Sequence, residues 1–298
     1  MEENFDDWRK AGLIARRCLK YAESLVKPGV SLLEVSEKVD AKIIELGAFP
    51  AWPCQISANE IAAHYCAEPN DPAIFEDQLL CIDVGVSVNG AIGDNALSVD
   101  LSGKYKDLVK ASRAALDNAT KILQIGTTLG EIGKTVQETI ESYGFRPIKN
   151  LCGHGLQRYI IHAPPSIPNF DNKSPTSLHK GQIIAIEPFA TNGKGMIHER
   201  DNGNLFSVVA KKPVRSSSAR EILDLVKNYN GLVFTTRNLL KHIPAMKVTI
   251  GLRELLHAGV ITCYPPLAED EKGFISQFEN TFLIDDKVEV LTKDPDEE

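Results

Sequence analysis

A chain of 298 residues, 43% hydrophobic and 24% charged, can bury the core of one large domain or two ordinary ones. Forty acidic residues against 33 basic give a formal charge of -7, which opposes phosphate backbones and anionic membranes, so neither nucleic acid nor a membrane is an expected partner. No apolar stretch approaches the roughly 20 residues of a spanning helix, and the start Met1–Asp7 is too acidic for a signal peptide, so a cytoplasmic protein is expected.

In chain order, the first feature is a repeat. Residues 15–50 and 112–147 align at a constant offset of 97 without a gap, with Arg16, Gly29, Leu32, Glu34, Gly47 and Pro50 falling on Arg113, Gly126, Leu129, Glu131, Gly144 and Pro147. Each copy predicts a helix, a glycine break and a second helix. That second helix opens on a capping box, Ser31 to Glu34 or Thr128 to Glu131, and stops at Gly47 or Gly144. The first copy is followed by an apolar run ending on a carboxylate, Gln78 to Asp83, and by a strand that a carboxylate opens, Asp94 to Val99. The second copy is followed by the matching pair, Gln182 to Glu187 and Glu279 to Ile284. The acids are 11 residues apart in the first half and 92 in the second, so about 80 residues are inserted there. Ser218 to Glu221 reads as a capping box leading into Ile222, Leu223, Leu225 and Val226, and Thr249 precedes Leu252, Leu255 and Leu256 at helical spacing. The expected architecture is α+β: two pseudo-symmetric halves over 1–205 and 269–298, with a small, mostly helical subdomain over 206–268. The tail Asp294–Glu298 reads as disordered and solvated.

An acid within an apolar strand has to be neutralised, hydrogen-bonded or bound to a cation. Taken alone, Asp83 reads as a strand-end acid capping a turn or pairing with an arginine. Packed about a pseudo-twofold axis, however, Asp83, Asp94, Glu187 and Glu279 converge, and four like charges share a site only around cations. His154, between Gly153 and Gly155, supplies a nitrogen where the backbone can approach a ligand closely. The stretch Gly153 to Arg158 lacks the third glycine of a dinucleotide loop. One histidine with four carboxylates suits two divalent ions, cobalt, manganese, iron or zinc, which can lower the pKa of a shared water and polarise a carbonyl. The six cysteines, Cys18, Cys54, Cys66, Cys81, Cys152 and Cys263, form no Cys-x-x-Cys pair and read as reduced thiols, mostly buried. His64 and His162 lie 98 residues apart, close to the repeat offset, and are candidate donors facing each other across the metals. His179, His198, His242 and His257 read as surface or packing residues without an acid partner. Lys211, Lys212 and Arg215 beside Ser216–Ser218 read as a solvated linker, with a transient ribosome or RNA contact as the second reading.

The segments Ala62-Ala-His64-Tyr65, Ile82-Asp83-Val-Gly85, Gly93-Asp94, Gly153-His154-Gly155 and Ile161-His162 resemble those of type 2 methionine aminopeptidases, which have the pita-bread metallopeptidase fold. So do Ala185-Ile-Glu187-Pro-Phe189, Tyr264-Pro-Pro-Leu267 and Gln277-Phe-Glu279-Asn280, in the same order and over nearly the whole chain. The likeness is to the short form without a basic N-terminal extension. It implies that Asp94 and Glu279 bridge two metals, that Asp83 chelates one ion, and that His154 and Glu187 bind the other. It implies removal of the initiator methionine from the N-termini of nascent polypeptides, with a preference for a small second residue. Glu187 would shuttle the proton, His162 steady the oxyanion and His64 the departing nitrogen, and the family's covalent epoxide inhibitors would attack His64. Trp52, Ile161 and Tyr264 would line the methionine pocket, the alternative for Trp52 being a packing role with its indole nitrogen bonded to backbone. A monomer is expected. Two departures stand out: Cys66-Ala-Glu-Pro69 follows Tyr65 where the family has Thr-Pro, and Trp52-Pro53 replaces its Phe-Pro pair.

Overall fold

Helix α1 (Phe5–Leu25) begins where the Asn4 side chain accepts a hydrogen bond from the Asp6 amide, and it buries one stripe that includes Trp8, Ala11, Ala15, Leu19 and Ala22. Helix α2 (Leu32–Glu45) is capped by the Ser31 hydroxyl, which accepts from the Glu34 amide at 3.4 Å. The second copy repeats the pair as α3 (Lys106–Ile122) and α4 (Leu129–Ser142), and here Thr128 and Glu131 form the full reciprocal capping box. Gly47 and Gly144 follow α2 and α4 at equivalent places with φ of 76° and 81°, a conformation side chains disfavour, which is why the repeat keeps glycine there. The computed structural model describes residues 3–200 and 203–296.

After α2, strand Leu79–Val88 pairs antiparallel with strand Ala91–Asp100, setting Asp83 opposite Ala96 and Gly85 opposite Asp94. Both acids therefore lie inside their strands rather than at the ends the sequence pattern led us to expect. The alternation explains how this is tolerated. Leu80, Ile82, Val84 and Val86 enter the core beneath the helices, where each buried side chain contributes about 1.5 to 3 kcal/mol, and Cys81, Asp83 and Gly85 take the other face. A one-residue slip would drive the carboxylate into that core, so the register is strongly specified.

In the second half a five-stranded sheet runs Glu289–Val290, Asn280–Leu283, Ile183–Ile186, Cys152–Gln157, Ile160–Pro168. Asn280 pairs with Ile186, so one further step of the register sets Glu279 against Glu187, and His154 lies opposite Ala185, two residues from Glu187. The halves meet where the Glu279 amide donates to the Ala96 carbonyl at 3.0 Å.

The inserted segment adds strands to the expected helices. Leu205–Val208 is the middle strand between Phe234–Thr235 and Ile261–Tyr264, and α5 (Ser217–Val226), α6 (Thr236–Leu240) and α7 (Ala245–His257) pack with it around Ile222, Phe234, Leu239 and Leu255. These elements share a core of their own. One helix start differs from the sequence reading. Ser216, not Ser218, caps α5, because its hydroxyl accepts from the Ala219 amide, and Thr249 lies inside α7, which starts after Pro244. The tail also differs. Asp294 is buried and paired with Arg17 at 2.8 Å, and Asp296 reaches the same guanidinium, so the tail is held against α1 as far as residue 296. The rest of the expected tail, residues 297–298, lies outside the described residues.

Candidate metal centre

All ten residues singled out in the sequence line one cavity of about 240 Å³ at the seam between the halves. Asp94, His154 and Glu279 form its tightest cluster, each offering a ligand atom within 4.8 Å of the others, and all three are buried. The His154 Nε2 atom lies 3.6 Å from Asp94 Oδ2 and 3.7 Å from Glu187 Oε1. Asp83 joins from the same sheet face as Asp94, as its diagonal neighbour across the strand pair.

The chemistry of this cluster fits cations. Asp83 Oδ1, Asp94 Oδ1 and Glu279 Oε1 are buried with no hydrogen-bond partner among the described residues. Burial pushes the Asp83 carboxyl up to about 7, against an opposing pull from the Trp52 indole. Asp94, Glu187 and Glu279 are driven well above the ordinary carboxylate range, first by burial and then by neighbouring carboxylates, with Asp83 acting on all three. Protein donors relieve this only in part: Gln277 Nε2 donates to Glu187 Oε2 at 3.2 Å and to Glu279 Oε2 at 3.3 Å. The residues that would hold divalent ions are these four acids and His154. The ring of His154 is ready for that role. A carbonyl only accepts, so the 3.2 Å contact between Nδ1 and the Gly155 oxygen puts the proton on Nδ1 and leaves the Nε2 lone pair facing the acids. Burial, and then His162, lowers its pKa to about 3 and keeps it neutral.

The two remaining histidines stand at the cavity wall. His162 meets His154 edge-on with centroids 4.7 Å apart. His64 has φ +66°, its amide donates to Gln55 Oε1 at 2.8 Å, and its Nδ1 donates to the Pro265 carbonyl at 3.2 Å. By the same tautomer argument, Nε2 of His64 is an acceptor, whereas the sequence reading made it a donor. Burial lowers the His64 pKa to about 4, so it stays neutral.

Trp52 is buried, and its indole lies flat on the backbone of Gly85, where a Cβ would approach the ring to 2.3 Å. The Nε1 atom meets no partner at hydrogen-bond distance among the described residues and acts on the Asp83 carboxyl only from farther off, so the expected backbone bond of a packing role is not found. Tyr264 is fixed by its hydroxyl contact with Ser207 Oγ at 3.1 Å, and Ile161 lines the same wall. Cys66 is buried, with its carbonyl accepting from Asn204 Nδ2 at 2.9 Å and its Sγ accepting from Arg237 Nη2 of the inserted segment at 3.4 Å. One histidine does have an acid partner, contrary to the sequence reading: His198 Nδ1 lies 3.0 Å from Asp270 Oδ1. Sequence reasoning gave no role to Gln55, Gln277 or Thr281, uncharged residues whose only signal was proximity to a matched segment.

The family described as Metallopeptidase family M24 matches residues 6–212. The chain is 45% identical over 294 residues to a methionine aminopeptidase of Methanocaldococcus jannaschii, a match covering 98% of this chain and 99% of that protein. It is 43% identical over 286 residues to a methionine aminopeptidase of Thermococcus onnurineus, covering 95% and 97%. Among solved structures, the methionine aminopeptidase from Thermotoga maritima matches with a TM-score of 0.72 at 23% identity, over 97% of this chain and 96% of that one, a likeness of fold.

Proposed function

The chain belongs to metallopeptidase family M24, whose pita-bread fold it has, and from that premise we propose that it removes the N-terminal methionine of nascent proteins by hydrolysis at two divalent ions. The observation that carries the reading is the buried Asp94–His154–Glu279 cluster, joined by Glu187 at 3.7 Å from His154 Nε2 and by Asp83 on the same cavity wall, in a cavity with apolar walls. Asp94 and Glu279 meet at the seam, flanked by Asp83, Glu187 and His154, and these five residues would hold the ions. Bound divalent ions would supply an activated water and polarisation of the scissile carbonyl.

The protein's own groups do the rest. The methionine side chain lies against Trp52, Ile161 and Tyr264, where a flexible, polarizable thioether packs well on aromatic rings. Glu187 takes the proton of the attacking water and passes it to the leaving nitrogen, because it reaches the cavity while Gln277 holds its other oxygen. His162 steadies the developing oxyanion, and His64 Nε2 accepts from the scissile N–H. A small second residue is preferred in this reading. The test is methionine release from Met-Ala-Ser and Met-Leu-Ser peptides, with and without a chelator. Rapid release from Met-Ala-Ser that stops on chelation supports the reading, and equal rates on the two peptides would overturn the specificity.

A further inference from the structure

We infer that Gln55 is a positioning residue that holds His64 in its working geometry, an inference that rests on the proposed role of the His64 Nε2 atom. Gln55 opens strand Gln55–Ala58 and lies directly opposite Asp83 in the antiparallel register, so both side chains project from one face of the sheet into the same cavity. Its amide orientation follows from chemistry. The backbone N–H of His64 only donates, so the Gln55 atom 2.8 Å away is Oε1. The bond matters because His64 has φ +66°, a left-handed conformation that is unfavourable for a non-glycine residue and persists only where the surroundings over-determine it.

Two contacts of His64 itself supply that determination, beside the bond from the Ile56 amide to the Tyr65 carbonyl at 3.1 Å. Gln55 fixes the backbone at His64, and the Pro265 carbonyl fixes the ring and its tautomer. Gln55 is itself buried and rooted in a strand whose partner carries Asp83, so it ties the position of the His64 lone pair to one wall of the metal cluster. With an isosteric apolar side chain the His64 amide would lose its partner, the left-handed turn would relax, and Nε2 would leave the line of the scissile N–H.

The test compares wild type with Gln55→Met, Gln55→Glu, His64→Ala and the Gln55→Met/His64→Ala double variant on Met-Ala-Ser, together with calorimetric titration of Mn²⁺ and amide hydrogen exchange. Gln55→Met should lower kcat about tenfold with KM within about twofold and Mn²⁺ affinity unchanged, and should speed exchange of the His64 amide about tenfold while the Asp94 amide keeps its protection. Gln55→Glu keeps an acceptor oxygen at the same reach and should restore slow exchange at His64. In the His64→Ala background, Gln55→Met should cost nothing further. An equal loss in both backgrounds would assign Gln55 to direct substrate contact and overturn the inference, as would unchanged exchange at His64. If His64→Ala leaves kcat unchanged, the proposed role of His64 fails instead, and the exchange result still decides whether Gln55 holds the residue.

Discussion

Asp94 and Thr281 exchange two hydrogen bonds across the seam between the halves. The Asp94 amide donates to Thr281 Oγ1 at 2.8 Å, and the same hydroxyl donates to the Asp94 carbonyl at 2.8 Å. A single buried hydroxyl thus satisfies both backbone groups of a metal-ligand candidate. Thr281→Val keeps the shape and leaves both groups unpaired, which should destabilise the protein by about 2 kcal/mol or more. Because Asp94 would then be free to shift, Mn²⁺ affinity should also fall by about 10- to 100-fold. Urea denaturation and calorimetric titration check the two effects, and wild-type affinity in a destabilised variant would show that Thr281 holds the fold without tuning the site.

Loss of a bridging ligand should differ in kind from loss of a terminal one. Glu279 meets Gln277 and the Asp94–His154 cluster, and its backbone pairs with Ala96, so Glu279→Ala should disturb both metal positions while Asp83→Asn chiefly weakens one. Chelation should abolish activity and added divalent ions restore it. Titration of the metal-free Glu279→Ala protein with Mn²⁺ measures the stoichiometry, and two ions bound at wild-type affinity would refute the assignment.

The acids of the cluster were legible in the sequence because a carboxylate in an apolar run is costly, and four of them at repeat-related places leave few solutions. Their exact setting was not. Asp83 and Asp94 lie inside strands because alternation lets one face of Leu79–Val88 be wholly apolar while the other carries the site, and an apolar run does not reveal its faces. Gln55, Gln277 and Thr281 act through uncharged hydrogen bonds set by long-range register, for which no local pattern exists. The cap of α5 was misread for a local reason: three consecutive serines offer three possible starts, and only packing of Ile222 and Val226 selects Ser216. Asp294 looked like part of a charged tail because Arg17, its partner, is 277 residues away.

His64 and His162 should act on turnover more than on metal loading, since neither belongs to the tight cluster. Each change to alanine should lower kcat by a factor on the order of 10² or more while Mn²⁺ binding is retained. Calorimetry on both variants decides the matter, because a loss of bound metal would make the residue a ligand.

Stability should carry a pH signature at Asp40, away from the metal cluster. Its carboxyl is pushed up to about 6 by burial, only partly offset by Arg237, by the Cys54 amide and by Lys241, with Glu37 adding to the rise. From about pH 4 to 6 the unfolded chain has released this proton and the folded one has not, so this group's contribution to stability falls as pH rises through that window and is level above it. The side chain keeps 22% of its surface exposed, so water moderates the effect to about 1 to 3 kcal/mol. Asp40→Asn cannot titrate. Its stability relative to wild type should therefore improve by that amount between pH 4 and 6.5, as read by urea denaturation across pH, and a difference that stays flat or moves the other way would remove Asp40 from the account.

The Trp52 indole rests on the backbone of Gly85, two residues from Asp83, and an added Cβ at Gly85 would sit 2.3 to 2.4 Å from three ring atoms. Real contacts do not reach that distance, so Gly85→Ala must push the indole away from the strand, and the open side is the cavity that both Trp52 and Asp83 line. Gly85→Ala should therefore raise KM for Met-Ala-Ser and cost about 1 to 3 kcal/mol of stability through overpacking. Phenylalanine has no second ring over Gly85. Trp52→Phe alone should keep Met-Ala cleavage within about tenfold and admit bulkier first residues, because a small change in an apolar pocket is worth about 1 to 3 kcal/mol. In the double variant the added methyl should fill space left by the lost ring, so KM and stability should recover toward the Trp52→Phe values, a coupling a double-mutant cycle measures directly. Additive losses, with an unchanged preference among methionine, norleucine and longer side chains, would show that Trp52 packs beneath the site without shaping what enters it.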